Sequence, residues 1–360
     1  MNNFSQAEAF QCTYNTEVVE LLSRLNCSLV ISTYQAGKII FLSPQKNGSM
    51  VQLPRTFSKP MGIAVNTDNS KIAIACKDEI IVFSNSSKLG FHYPAKPKTY
   101  DAFFTPRLTY HTGNVDIHDL LWGNEKLFAV NTLFSCIVTF DDNYNFTPYW
   151  KPPFISKLVS EDRCHLNGMI LIDGEPRYTT SFSNSDTFQG WRENITKSGI
   201  LFDIKKNETI IENLPMPHSP RMINGEIYLL LSATSELVKI NIEKRNYEVI
   251  AKMNGFVRGM AHYNDYLFIG LSKLRKSSST FSKLEIAEKP MNTGVCILQL
   301  STGKIIGELI YNTSVEEIYD VHVLPNITRP NILNTIRPEY KMGLSIPGST
   351  FWSLPENENK

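Results

Sequence analysis

At 360 residues, with 42% hydrophobic residues, 20% charged residues and a net charge of +1, the chain has ordinary globular composition. The length fits one large or two medium domains, and so even a charge balance gives no electrostatic case for nucleic acid or an anionic membrane surface. The first twenty residues hold no basic segment followed by an apolar one, and no run of about 18 apolar residues occurs, so neither a secretory signal nor a spanning helix is expected.

Residues 16–25 (TEVVELLSRL) place Val18, Val19, Leu21, Leu22 and Leu25 on one face at helical spacing, with Asn15 or Thr16 as the expected N-cap. From Ser28 the period changes to two. Short apolar runs then follow one another: SLVIST (28–33), KIIFLS (38–43), KIAIAC (71–76), EIIVFS (79–84), KLFAVN (126–131), CIVTF (136–140), EIYLLLS (226–232), ELVKINI (236–242), DYLFIGLS (265–272), GVCILQL (294–300) and KIIGELI (304–310). Asp68-Asn69, Asp173-Gly174, Asn224-Gly225 and Asn264-Asp265 are hairpin-type pairs between such runs, so the chain reads as all-β. The six cysteines (Cys12, Cys27, Cys76, Cys136, Cys164 and Cys296) form no C-x-x-C pair. Reduced, buried thiols in a cytoplasmic protein are expected, not a disulfide framework or a zinc ribbon.

Aligning the runs exposes a repeat. One strand in each unit opens with a polar or special pair: Met61-Gly62, His118-Asp119, Asn167-Gly168, Pro220-Arg221, Arg258-Gly259 and Tyr319-Asp320. A second strand then ends in a small or hydroxyl residue (Cys76, Thr132, Ser181, Ser232, Ser272), and two more strands complete most units. Six such units predict a six-bladed β-propeller. The first unit begins at its second strand, and the last segment, 317–323, is a first-type strand with nothing after it. Pairing of these N- and C-terminal strands should close the ring and remove an exposed edge. The expected organisation is a helical segment at 1–27, a propeller at 28–324 and an outer tail at 325–360, with long insertions at about 84–114 and 183–198.

In a propeller the first strands line the channel, and residues two apart share a face. Met61, His118, Asn167, Pro220, Arg258 and Tyr319 should form one ring. Lys59, Asp116, His165, His218, Phe256 and Glu317 should form another, nearer the mouth. His118, His165 and His218 are the candidate metal ligands, with a divalent transition metal as the candidate cofactor. Arg221, Arg258, Asn167, Glu317 and Asp320 are the candidate catalytic groups. His111, Trp191, Arg192 and Asn194, from the insertions, are the candidate ligand-binding residues. Cys164 should face away from His165 as an inert buried thiol. Three readings of the rings stay open: a metal site, a metal-free polar or acid–base site, and channel groups that only satisfy one another.

Several segments resemble a bacterial family of uncharacterised, propeller-like conserved hypothetical proteins. They are Ser32-Thr33-Tyr34-Gln35-Ala36-Gly37-Lys38, Pro60-Met61-Gly62, Ile117-His118-Asp119, Asp162-Arg163-Cys164-His165-Leu166-Asn167-Gly168, Gly190-Trp191-Arg192-Glu193-Asn194 and Met216-Pro217-His218-Ser219-Pro220-Arg221. The similarity covers about residues 25–325 and implies the propeller fold but no established activity. The functional expectation is a small-molecule, peptide or catalytic site at the channel mouth. The alternative is a protein-interaction platform with a merely structural channel. The one basic cluster, Lys273-Leu274-Arg275-Lys276, has no stripe around it, so neither nucleic acid nor membrane is an expected partner.

Overall fold

A computed structural model describes residues 8–124, 126–274 and 280–353. Arg275 and Lys276 of the basic cluster lie outside them, as do the last seven residues of the tail. Six blades of antiparallel strands surround a central channel. Running outward from the channel, blade two holds Ile63–Val65, Lys71–Ala75, Ile80–Asn85 and Ala102–Tyr110, and blade three holds Ile117–Trp122, Leu127–Asn131, Cys136–Thr139 and Thr147–Trp150. Blade four holds Leu166–Ile172, Glu175–Ser181, Gly199–Asp203 and Glu208–Leu214. Blade five holds Pro217–Ile223, Glu226–Leu231, Glu236–Asn241 and Asn246–Lys252, and blade six Phe256–Tyr263, Tyr266–Ser272, Gly294–Gln299 and Lys304–Tyr311.

Blade one is built from both ends of the chain. Its innermost strand, Asp320–Pro325, pairs with Cys27–Thr33 in the register Cys27 to Pro325 and Ser32 to Asp320. Lys38–Pro44 and Met50–Thr56 complete it. Every residue of Cys27–Thr33 is buried. Leu29 and Ile31 pack with Phe268, Val295 and Ile297 of blade six, while Val30 packs with Ile72, Ile74 and Phe83 of blade two. A strand covered on both faces reads as a continuous apolar run, which is why the inner strands stand out in the sequence.

Each neighbour of blade one carries a further strand. Cys12–Tyr14 adds antiparallel to the outer edge of blade six, and Pro330–Ile332 adds parallel to the outer edge of blade two. Between the first of these and blade one lies the helix Thr16–Arg24, with Val18, Val19, Leu21 and Leu22 buried. Asn15 occupies the N-cap position, but its side chain does not cap the helix. Its Oδ1 instead accepts the Glu308 amide at 2.9 Å, fixing the helix to blade six.

Side chains join the blades in an alternating pattern. Asp320 accepts the Ile63 amide at 2.9 Å, Asp119 accepts the Met169 amide at 3.1 Å, and Arg221 Nε donates to the Met260 carbonyl at 3.1 Å. These bonds cross from blades one, three and five to blades two, four and six. The same three seams carry hydroxyl bonds, from Ser32 to the Met61 carbonyl (2.6 Å), Thr132 to Leu166 (2.5 Å) and Ser232 to Val257 (2.5 Å). Of the hydroxyls noted at the ends of second strands, Thr132, Ser232 and Ser272 make bonds to carbonyls of the next blade, whereas Ser181 bonds Ser183 within its own. On the intervening seams a glycine takes the matching place (Gly62, Gly168, Gly259). A Cβ at Gly168 would lie 2.4 Å from Pro220 Cδ, and one at Gly259, where φ is +77°, would lie 2.7 Å from Asp320 Cα. Backbone approaches closely at these glycines, and on the seam from blade six to blade one Ser272 Oγ also donates to the Ile318 carbonyl at 3.1 Å.

The stretch 84–114 is only partly an excursion: Ala102–Tyr110 is the outer strand of blade two, and the loop before it holds a short helix, Ser87–Phe91. Beyond Ile332, the hairpin of Gly343–Ile346 and Ser349–Trp352 lies against that helix, with Trp352 Nε1 donating to the Leu89 carbonyl at 3.0 Å. No helix among the described residues is long and apolar enough to cross a membrane.

Candidate functional site

The inner strands all start at the same end of the channel. At matching positions, Lys59, Asp116 and His165 open the inner segments of blades two, three and four with φ of 46°, 53° and 53°. A left-handed residue costs a side chain about 1–2 kcal/mol, and such positions concentrate where chain geometry serves a site. Here the turn brings the following residues onto the wall of a cavity of 270 Å³ at the channel mouth.

His118, His165, His218, Arg258, Glu317, Trp191 and Arg192, all candidates from the sequence, line this cavity. The others lie elsewhere. Asn167, Arg221 and Asp320 surround a chamber of only 10 Å³ beneath it, together with Asp119. There Asn167 accepts Thr180 Oγ1 at 2.8 Å, Asp320 and Asp119 hold the seams, and Arg221 lies 3.6 Å from Asp119 and 4.0 Å from Asp320. Each of these groups makes at least one bond to the channel wall, while Asn167 Nδ2 has no hydrogen-bond partner among the described residues. His111 and Asn194 are exposed and do not line the cavity.

The stretch Glu161–Asn167 organises the mouth. Arg163 donates from Nε to Glu161 (2.9 Å) and from Nη1 to Asp186 (2.6 Å) and Ser156 (3.1 Å), pinning the insertion that carries Trp191. Trp191 Nε1 then donates to Asp162 Oδ2 at 2.9 Å, and the same carboxylate takes His165 Nδ1 at 3.0 Å. The His165, Trp191 and Phe182 rings cluster in a triangle, with centroids 4.3 Å from His165 to Trp191, 4.5 Å from His165 to Phe182 and 5.4 Å from Phe182 to Trp191. Cys164 points the other way, fully buried, and burial pushes its thiol up to about 12.

The three imidazoles share one arrangement. Each turns Nδ1 to an acceptor: His165 to the Asp162 carboxylate, His118 to the Asp116 carbonyl at 3.1 Å, and His218 to Ser232 Oγ at 2.6 Å. Ser232 spends its only proton on the Val257 carbonyl, so its oxygen must accept from His218. In the neutral rings the proton therefore sits on Nδ1 and the lone pair on Nε2. None of the three Nε2 atoms meets a hydrogen-bond partner among the described residues. Burial holds the His118 and His218 pKa values well below the ordinary imidazole value, helped by the charges of His165 and Arg258. Arg258 lies 3.4 Å above the Tyr319 ring centroid and 3.9 Å from Glu317.

The histidines do not assemble as the expected ligand set. His118 and His165 meet at 4.9 Å between centroids, while His218 stands behind Phe182 at 5.0 Å. Among the described residues no group of three or more His, Cys, Asp or Glu side chains is placed to hold a metal ion. Among the side chains that sequence reasoning left out of the site are Asp162, Phe182 and Phe281, with Lys273 beside them. Asp162 had a visible signal: a carboxylate three residues before His165 can fold back onto it. Phe281 and Lys273 come from the loop after blade six's second strand, which breaks the repeat and has no aligned counterpart.

The depressed histidines predict a pH effect on stability. Unfolded, both rings bind protons below about pH 6.5, whereas folded they resist protonation. Their stabilising contribution is complete above that pH and is lost as pH falls, by about 1.4 kcal/mol per pH unit for each ring. Urea denaturation at pH 7.5, 6.5 and 5.5 should show this slope, and His118→Phe with His218→Phe should flatten it.

A protein family described as "Domain of unknown function (DUF4915)" matches residues 16–333. No curated protein matches the chain. Among solved structures, a chain of the "Crystal structure of Nidogen/Laminin Complex" superposes with a TM-score of 0.55 at 11% identity, covering 83% of this chain and 99% of that one. That likeness speaks for the fold alone. A protein of unknown function from Bacteroides caccae gives a TM-score of 0.48 at 9% identity, covering 83% of this chain and 98% of that one.

Proposed function

The chain belongs to the family described as "Domain of unknown function (DUF4915)", and on that premise we propose that its channel mouth is a small-molecule site where His165, oriented by Asp162, transfers a proton. The observation that carries this is the Trp191–Asp162–His165 chain of hydrogen bonds on the cavity wall. Asp162 fixes the tautomer and stabilises the imidazolium once Nε2 has taken a proton, the division of labour in any oriented carboxylate–imidazole pair. The proton taken from a bound hydroxyl or acidic C–H would rest on Nε2 and return to the product. His118 and His218, held neutral, would act as acceptors, and Arg258 would offset negative charge that develops on the bound molecule.

The test is capture from a small-molecule extract. Untagged protein is equilibrated with a cell extract, washed, denatured and analysed by mass spectrometry beside the His165→Ala protein. A compound retained by the wild type and reduced at least ten-fold in the variant is the expected result. Equal retention by both, or none, overturns the reading. Stoichiometric first-row metal in the untagged wild type that is lost in His165→Ala would replace proton transfer with metal chemistry.

A further inference from the structure

The three imidazoles also say what kind of molecule fits. With each Nδ1–H committed to the protein, the three rings that line the cavity are left with their Nε2 lone pairs as acceptors. An apolar ligand would leave all three unpaired after displacing water from them, which is costly in a confined site. The lining balances three cationic side chains, Arg192, Arg258 and Lys273, against three anionic ones, Asp116, Asp162 and Glu317, so its charge selects neither a cation nor an anion. The unpaired acceptors select a molecule rich in hydrogen-bond donors.

Shape narrows it further. Phe256 and Phe281 line the mouth with ring centroids 5.7 Å apart, beside the buried Trp191 and Phe182, and Arg192 lies 4.2 Å over the Trp191 ring. Aromatic faces take the flat apolar side of a ring through dispersion and C–H contact. The 270 Å³ volume falls just below the range of about 300–1,000 Å³ typical of drug-sized ligands. We propose that the cavity takes a small polyhydroxylated ring, a monosaccharide unit or a cyclitol, whose hydroxyls donate to His118, His165 and His218 while its apolar face lies on the aromatic wall. The proposal rests on the small-molecule reading above but does not require proton transfer.

Isothermal titration of the full-length untagged protein at pH 7.5 tests it. The probes are myo-inositol and the methyl glycosides of glucose, galactose and mannose, with choline and benzoate as the charged alternatives. At least one polyol should bind, and His118→Phe should weaken it by roughly three- to ten-fold, the loss of one neutral hydrogen bond. In the wild type that polyol should quench tryptophan fluorescence, and Trp191→Phe should abolish the quenching. The fluorescence arm still decides the matter if His118→Phe does not fold. Binding of choline or benzoate without any polyol overturns the ligand class and leaves a small-molecule site standing. Polyol binding unchanged in His118→Phe and silent in fluorescence places the sugar elsewhere and overturns the proposal. If no probe binds, the ligand class again falls, and the extract capture separately decides whether the mouth is a small-molecule site.

Discussion

A chain ending at Tyr319 should not fold. The cut removes Asp320–Pro325, the innermost strand of blade one, and leaves the fully buried strand Cys27–Thr33 with an unpaired edge. It also deletes the Asp320 carboxylate, which takes the Ile63 amide across the seam and lies 3.3 Å from His322 and 4.0 Å from Arg221. Val321 and Leu324 are completely buried, and each contributes about 1.5–3 kcal/mol of burial. Together with six lost ladder positions, this is comparable to the whole stability of a domain, about 5–15 kcal/mol. Circular dichroism should show no cooperative melt, and the protein should aggregate through the open edge. A chain ending at Asn326 keeps the strand and should fold with reduced stability. Native-like elution and a cooperative transition in the shorter chain would sink the closure argument.

Replacing Asp162 with Asn should leave the fold standing and invert the site. An asparagine keeps one acceptor oxygen and puts an Nδ2 donor in place of the other, and His165 Nδ1 lies 3.1 and 3.0 Å from the two carboxylate oxygens while Trp191 Nε1 donates to the second. With its Nδ2 turned to His165, the ring protonates on Nε2, so a lone pair facing the cavity becomes a donor. Nitrogen-15 NMR of the imidazoles should show His165 exchanging one tautomer for the other while the other histidines stay as they are. If the pair transfers protons, turnover should fall by about 10³–10⁴, the usual consequence of a wrong tautomer in such a pair. Asp162→Ala is the harsher change: it leaves two donors without their acceptor, at about 1–3 kcal/mol each. An unchanged NMR tautomer in both Asp162→Asn and Asp162→Ala would remove Asp162 from the orienting role.

The inner architecture was legible because propeller strands near the axis are buried on both faces. SLVIST, KIIFLS and DYLFIGLS match Cys27–Thr33, Lys38–Pro44 and Tyr266–Ser272 within a residue or so. Apart from KIIGELI, which matches Lys304–Tyr311 of blade six, the outer strands were not legible. Met50–Thr56 contains Pro54, and Ala102–Tyr110 contains Pro106; an outer strand tolerates a residue that cannot donate to the ladder, while a reader of patterns takes it for a loop. The repeat alignment placed His118, His165, His218, Arg258 and Glu317 around one cavity, since equivalent positions on equivalent strands must converge at the axis. It could not say which polar residues face a ligand and which face the next blade. Asp320 and Arg221 look chemical in the sequence, yet their partners are backbone groups one blade away. That distinction depends on depth along the channel, which spacing along the chain does not encode.

The two added strands, Cys12–Tyr14 on blade six and Pro330–Ile332 on blade two, give the ring's closure a second property. Each end of the chain spans the boundary between blade one and a neighbour, so that blade cannot swing out until both ends have been peeled away. Breathing at the closure is thereby coupled to two independent detachments, which raises the barrier to opening without altering the paired strands themselves. Bare outer edges remain on blades three, four and five, at Thr147–Trp150, Glu208–Leu214 and Asn246–Lys252, and on Met50–Thr56 of blade one itself. The place where the chain is discontinuous becomes the slowest part of the ring to come apart.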